Sequence, residues 1–305
     1  MENVFHNGEI GVQARTGQRK MAQMVGRMIQ KTIPPGLSHF IEKQPVVYVS
    51  SVDSHQSVWL SLLTGGPGFI EVPDDKGVIF HKDLIRSHSK DIFFQNIEGN
   101  PSVGTLFLEP STRRRFRVNG SSVQDSSSIQ INVREAYGNC PKYIQRAALS
   151  LSKSAASAMP QTSTGNVLGS YEKEWISNSD TFFVATRSLD GQMDTSHRGG
   201  NPGFISVSPD GVLRIPDYPG NGMFNTLGNL YENPKVGLLL VNFAKGETLQ
   251  LTGTGEIHFD QKSSEDQLLS GGTGLFWTFR IEKWIRTENH HAANWEFLEY
   301  SPFNP

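Results

Sequence analysis

DTSHRGGNPGFISVSPDGVLRIPDYPGNGMFNTLGNL, residues Asp194 to Leu230, is the stretch on which the reading of the fold turns. It opens as a Gly-rich turn carrying His197 and Arg198 and leads into a predicted strand, Phe204 to Val207. Ser208-Pro209-Asp210-Gly211 is a turn, because Pro presets φ and Gly supplies φ > 0. Val212 to Ile215 reads as the returning strand. Pro219-Gly220-Asn221-Gly222 then opens a helix predicted over Met223 to Tyr231. A strand followed by a Gly-rich turn and a helix N-terminus leaves backbone N–H groups free for a phosphate. Arg198 offers a guanidinium to the same anion. A plain hairpin with a connecting helix has the same pattern, so this stretch alone leaves both readings open.

Outward from it, strands dominate. Val46–Val52, Val58–Leu63, Gly77–Phe80, Val103–Leu108, Phe116–Val123 and Ile129–Val133 are β-branched or aromatic and are separated by turns, the pattern of an antiparallel barrel or sandwich. A helix is predicted over Lys90–Gly99. Ahead of the strands, Gln13 to Thr32 places Met21, Met24, Val25, Met28 and Ile29 at 3–4 spacing, one apolar helical face expected to pack on the barrel. Pro34-Pro35-Gly36 stops it. Ser150 to Asn166 is rich in Ser, Ala and Thr and reads as a linker.

The second half repeats the first. Thr181–Thr186 (TFFVAT) matches Val46–Ser51 (VVYVSS), and Pro202-Gly203-Phe204 matches Pro67-Gly68-Phe69. Val236 to Gly253 lies ungapped over Val103 to Gly120. A repeat of this length predicts two related barrels that pair as a pseudo-dimer. The expected fold class is therefore mainly β: two tandem split β-barrels with peripheral helices. Residues 1–44 are an N-terminal helical segment, 45–146 the first barrel, 147–170 the linker and 171–305 the second barrel.

The totals narrow the function. With 305 residues, 28 basic and 30 acidic side chains and a formal net charge of −2, the chain lacks the basic excess of a nucleic-acid or acidic-membrane binder. Neither an 18-residue apolar run nor an apolar leader is present, and the single cysteine, Cys140, excludes an internal disulfide. A cytoplasmic location is expected.

Several ordered segments resemble the pyridoxamine 5′-phosphate oxidase-like family of FMN-binding split barrels, in its two-barrel branch. They are Phe5-His6-x-Gly8-Glu9, Gly65 to Phe69, Arg113 to Gly120 (RRRFRVNG), Gly138 to Ile144 (GNCPKYI), Asp180 to Thr186, Ser196 to Phe204 (SHRGGNPGF) and Ile215 to Asn229. The resemblance implies FMN, less often FAD, a deazaflavin or haem, held between two barrels. It does not fix one reaction. An FMN-dependent oxidoreductase acting on a small molecule is the first expectation, and a binding protein without turnover is the alternative. NAD(P)H is a candidate donor, and a homodimer of two-barrel chains a candidate assembly.

By the same resemblance, Ser196, His197, Arg198, Gly199 and Gly200 lie beside the cofactor. Asp217, Tyr218, Asn221, Phe224 and Thr226 hold its phosphate end. Arg113, Arg114, Arg115, Arg117 and Asn139 come from the other barrel. Relatives commonly have Arg where this chain has Gly222, which removes one phosphate cation. His197 is the candidate proton donor, a group suited to neutral pH. Cys140, near Lys142, is a candidate reactive thiol or an inert buried one. His290 and His291 near Glu288 lack metal-ligand spacing and are expected in a solvated loop. The tandem Trp277, Trp284 and Trp295 are expected in the core. The two clefts of the pseudo-dimer are expected to differ. One combines Arg198 and Asn221 with the first-half arginines, and the other faces Glu247, which repels phosphate.

Overall fold

The computed structural model describes residues 4–151 and 159–305. Three helices precede the strands: α1 (Asn7–Arg15), α2 (Arg19–Val25) and α3 (Ser38–Glu42). α1 starts at a reciprocal cap. The His6 ring accepts from the Gly8 N–H, and Glu9 takes the His6 N–H at 3.0 Å. The single helix predicted from Gln13 is broken, because Gly17 sits at φ 70° and ends α1. The apolar face is also turned. Ala22 and Gly26 point inward, and a Cβ on Gly26 would lie 2.7 Å from the Phe5 ring. Val25 and Ile29 of the expected face pack half-buried against Phe5, Ala22 and Tyr137, while Met21, Met24 and Met28 are left exposed.

The first barrel comprises β1 (Val46–Val52), β2 (Val58–Thr64), β3 (Ile70–Glu71), β4 (Gly77–His81), α4 (Ile92–Gly99), β5 (Ser102–Glu109), β6 (Arg114–Gln124) and β7 (Ser128–Gly138). Its strands are hydrogen-bonded in the order β2-β1-β5-β6-β7-β4-β3. After β8 (Arg146–Leu151), β9 (Gln161–Gly165) and α5 (Ser170–Asn178) comes the second barrel. It comprises β10 (Thr181–Arg187), β11 (Met193–Gly199), β12 (Ser206–Val207), β13 (Leu213–Pro216), α6 (Asn225–Glu232), β14 (Lys235–Asn242), β15 (Glu247–His258), α7 (Ser264–Leu269) and β16 (Phe276–Glu288). The order β11-β10-β14-β15-β16-β13-β12 repeats the first barrel strand for strand. Both sheets are antiparallel throughout, and no described helix is long and apolar enough to cross a membrane.

The stretch read as a linker is more ordered at its ends than its composition suggests. Residues 152–158 lie outside the described residues, but on either side β9 pairs with β16 and β8 pairs with β17 (Ala293–Glu299). Strand β8, which follows the first barrel, is thus tied to β17, which follows the second.

Each barrel has its own core, one around Phe80, Phe93 and Phe107, the other around Phe182, Leu238 and Trp277. Trp284 and Trp295 are only half-buried, so the core expectation holds for Trp277. A third apolar cluster joins the barrels, with Tyr48, Leu60 and Leu106 from the first against Phe183, Met193 and Leu239 from the second. Each such fully buried side chain contributes on the order of 1.5–3 kcal/mol. The approach is close enough to require glycine at two equivalent positions. A Cβ on Gly104 of β5 would lie 3.1 Å from Asp194 Cα, and one on Gly237 of β14 would lie 2.6 Å from the Val58 carbonyl oxygen. The intrachain pseudo-dimer therefore rests on matched residues in the two halves of the repeat.

Candidate functional site

A cavity of about 680 Å³ lies where the barrels meet. β6 supplies Arg115 and Arg117, β11 supplies Ser196 to Gly199, and the start of α6 with the segment before it supplies Pro216 to Gly222 and Phe224 to Thr226. The residues after β7 and the N-terminal helices close its sides. His197 and Arg198 lie on β11, paired with Phe183 and Phe182 of β10, and not in the turn their glycines suggested.

The two strand arginines differ in charge balance. Arg117 is buried and donates to Asp194 at 3.2 Å, Asn225 at 3.1 Å, the Tyr137 hydroxyl at 3.2 Å, and Ser196. Burial works against its charge, but Asp194 and Tyr137 hold its pKa above the usual guanidinium value. Arg115 has no carboxylate among these contacts. It donates to His197 Nδ1 and to the His197 carbonyl, both at 3.3 Å. Burial, then the neighbouring Arg117 and Arg198 charges, pull its pKa down to about 9. The Nε atoms of Arg115, Arg117 and Arg198 are buried without a hydrogen-bond partner among the described residues.

Arg198 is bonded to Asp217. Its charge is thus balanced within the wall, as that of Arg117 is by Asp194. His197 is buried, and burial, Arg115 and Arg198 hold its pKa well below the ordinary value. A guanidinium can only donate, so His197 Nδ1 accepts and the neutral ring carries its proton on Nε2. It can offer a hydrogen bond there, but it holds no imidazolium proton at neutral pH, which removes the basis for His197 as the acid.

Twelve of the expected site residues line this one cavity: Asn139, Arg115, Arg117, Ser196, His197, Arg198, Gly199, Asp217, Tyr218, Asn221, Phe224 and Thr226. Three do not. Arg113, at φ 54°, donates to the Ile144 carbonyl at 2.9 Å and to Glu299 at 3.0 Å. Arg114 lies with its guanidinium 4.7 Å from the centre of the Phe40 ring. Strand alternation sends Arg115 and Arg117 to one face and Arg114 to the other. Gly200 is covered by Phe204, whose Cγ would lie 2.6 Å from an added Cβ.

Sequence reasoning missed the wall built by the N-terminal helices. Arg15, Gln18 and Met21 line the cavity, and Gln13 donates to the Met223 carbonyl at 2.9 Å. Gly222 stands at φ 73°, where an arginine would be strained, and an added Cβ would come into ordinary contact with Gln18 at 3.4 Å and Met21 at 3.6 Å. Cys140 also lines the cavity and is half-buried. Tyr143, missed as well, crosses from the first barrel to donate to the Pro219 carbonyl at 2.9 Å. Tyr143, Phe224 and Asp260 all line the cavity with left-handed backbones, at φ 66°, 60° and 57°. Such strain collects at functional sites and has no sequence signature in residues of these types.

The equivalent position in the other half is built differently. There α4 is capped by its own carboxylate. Asp91 accepts from the Phe93 N–H at 2.9 Å, from Ser61, and bonds His290 Nε2 at 3.2 Å. Gln250, the counterpart of Arg117, donates to Ser61 at 2.9 Å. His290 and His291, expected in a solvated loop, are 1% and 3% exposed. Burial, then His290, pushes His291 down to about 3. Glu247, expected to repel phosphate in this cleft, instead accepts the Tyr171 hydroxyl at 2.7 Å. By contrast α6 begins at Phe224, and no described side chain caps it.

Residues 172–273 match the family model described as pyridoxamine 5′-phosphate oxidase. No curated protein matches the chain. Among solved structures, HupZ of Group A Streptococcus is 17% identical, covering 42% of this chain and 98% of that one, with a TM-score of 0.33. A putative pyridoxamine 5′-phosphate oxidase of Lactobacillus delbrueckii is 15% identical, with coverages of 39% and 94% and a TM-score of 0.32. A FAD-binding protein of Mesorhizobium loti is 14% identical, with coverages of 43% and 99% and a TM-score of 0.30. Residues 172–273 thus carry a domain of the pyridoxamine 5′-phosphate oxidase-like split-barrel family, and the first barrel repeats its strand order within the same chain.

Proposed function

We propose that the cavity binds one flavin mononucleotide per chain, between units 45–146 and 171–305, and that the protein is an FMN-dependent oxidoreductase acting on a small molecule. The observation that carries this reading is the contrast between the two equivalent helix starts. α4 holds its own anion in Asp91, whereas α6 opens without a side-chain cap onto a cavity that also contains Arg115 and Arg117. A helix N-terminus beside buried guanidinium groups suits a phosphate. The volume, about 680 Å³, falls in the range of small-molecule sites.

The phosphate end belongs beside the first turn of α6, with Arg115, Arg117 and the hydroxyls of Ser196 and Thr226, which are 3.2 Å apart. The Arg198–Asp217 pair places a donor and an acceptor side by side on the wall, and Asn139 adds a buried Oδ1 with no partner among the described residues. Those groups suit the alternating donors and acceptors of a heterocycle edge. A flavin, when bound, supplies the hydride or electron transfer. The residues present supply binding, orientation and a neutral His197 Nε2–H. The test is an absorbance spectrum of freshly purified protein with an FMN titration. Flavin bands, or one FMN bound per chain, support the reading. A haem band, or indifference to FMN, FAD and deazaflavin alike, sinks it.

A further inference from the structure

We infer that the outer face of α2 and the turn after it docks an acidic protein surface with an apolar centre, beside the mouth of the cavity. The face consists of Lys20, Met21, Met24, Arg27 and Met28. Met21, Met24 and Met28 are 44%, 63% and 53% exposed, and Lys20 and Arg27 are exposed beside them. The spacing places all five on one side of the helical path. Ala22 and Gly26 fill the inner side, where Gly26 meets Phe5. The methionines cannot be exchanged for the inner residues without displacing Phe5, so their exposure is built into the packing.

The charge along this segment of the sequence is one-sided, and of its cations Arg15 is paired with Asp260 at 3.7 Å. Between Ile10 and Ile41 the sequence has Arg15, Arg19, Lys20, Arg27 and Lys31 and no Asp or Glu. Subtracting those five from 28 basic residues leaves 23 against 30 acidic ones, a formal −7 for the rest of the chain. A basic segment on an acidic protein attracts acidic partners and orients them at this face. Unbranched, polarisable methionine side chains make an adaptable apolar contact in its centre. A membrane surface is the less favoured occupant: interfacial helices carry Trp, Phe and Leu on the apolar side, and α2 has none of these in its seven residues. The face continues into the site, because Met21 lines the cavity with Arg15 and Gln18. A docked partner therefore sits beside the cavity wall that Arg15, Gln18 and Met21 form.

The inference stands on the surface alone and does not depend on what the cavity binds. The probe is a fluorescein-labelled 20-residue peptide of Glu and Leu at helical spacing, with a Lys-for-Glu peptide as control, followed by anisotropy on the full chain. Saturable binding of the acidic peptide, weakened by added salt, is expected. Lys20→Glu/Arg27→Glu and Met24→Ser/Met28→Ser, none of which lines the cavity, are each expected to weaken it about tenfold or more, the factor for ~1.4 kcal/mol. Both variants are expected to keep the parent's circular dichroism and melting temperature. Lack of binding, or binding indifferent to both variants, overturns the inference. So does tighter binding to phosphatidylserine vesicles that the variants abolish, which makes the face a membrane surface. Self-association of the chain lost in the same variants also overturns it, by assigning the face to a second copy.

Discussion

Replacing Arg115 and, separately, Arg117 with methionine tests whether the cavity is built for an anion. The two residues are neighbours on one face of β6, yet their surroundings predict opposite costs. Arg117 is buried against a buried carboxylate, with Asp194 at 3.2 Å. Removing it leaves Asp194 with only neutral donors such as the Tyr137 hydroxyl at 3.0 Å. Breaking one side of a buried ion pair costs about 3–5 kcal/mol, so Arg117→Met should be strongly destabilised before any ligand is considered. Arg115 has only His197 as a partner and a pKa pulled down to about 9. Methionine there removes an unbalanced charge and keeps most of the volume, so the unliganded protein should change by less than about 1 kcal/mol, or gain stability. Its cost should appear on binding. Losing one charge-assisted contact to an anion is worth about 1.5–3 kcal/mol, or roughly 10- to 150-fold in Kd. Urea unfolding of the apo protein gives the first quantity and quenching of FMN fluorescence the second. Equal destabilisation by both substitutions, or an unchanged FMN affinity in a folded Arg115→Met protein, would refute the reasoning.

Three further outcomes follow from the packing and the buried titrating groups. His291 is neutral when folded, with a pKa near 3 against an ordinary 6.5. Its contribution to stability is therefore complete above pH 6.5 and lost as the pH falls toward 3. Between pH 6.5 and 5.0 it should withdraw about 2 kcal/mol. His291→Asn, which can keep an acceptor for the Ala293 N–H, should flatten that part of a urea-unfolding pH series; an unchanged slope contradicts the assignment. Gly237→Ala should cost about 1–3 kcal/mol by pressing a Cβ against the Val58 carbonyl, and calorimetry showing no loss would remove the close-approach argument. Gly222→Arg should lower the melting temperature without tightening FMN binding, since φ 73° opposes any side chain; a gain in affinity would show that the cavity lacks a cation there.

What the sequence made legible was the part carried by period and repeat. Most strands of the first half lie where β-branched runs predict them, whereas β11 stands where a turn is expected, and the ungapped match of Val236–Gly253 to Val103–Gly120 corresponds to β14–β15 over β5–β6. Twelve site residues converge because they were assigned through ordered segments whose positions the fold preserves. The failures share a cause: side-chain direction depends on what sits opposite. Arg114 alternates away from Arg115, and α2 turns its small residues inward because Phe5 occupies the space. His290 is buried because Asp91, 199 positions away, needs a partner. Phe5 and Asp91 are far from these residues in sequence, so no local pattern announces them, whereas strand alternation alone separates Arg114 from Arg115.

The same partners explain how a duplicated fold can carry unequal sites. Two equivalent barrels begin with two equivalent clefts, and equal clefts would compete for one ligand chemistry. The substitutions that separate them act at matched positions. Ser61 and Ser196 keep the same hydroxyl on β2 and β11, but the group that meets it is Gln250 in one half and Arg117 in the other. Asp91 stands at the head of α4 where Phe224 stands at the head of α6. One half thereby closes its cleft with an internal carboxylate, an amide and two buried histidines, and that closure adds packing between the barrels. The other keeps its cations and leaves its helix start open, which costs stability unless a ligand compensates. A duplicated pair can tolerate that cost on one side because the closed side holds the barrels together. The open cleft keeps its wall from the N-terminal helices, with Gln18 and Met21 beside Gly222.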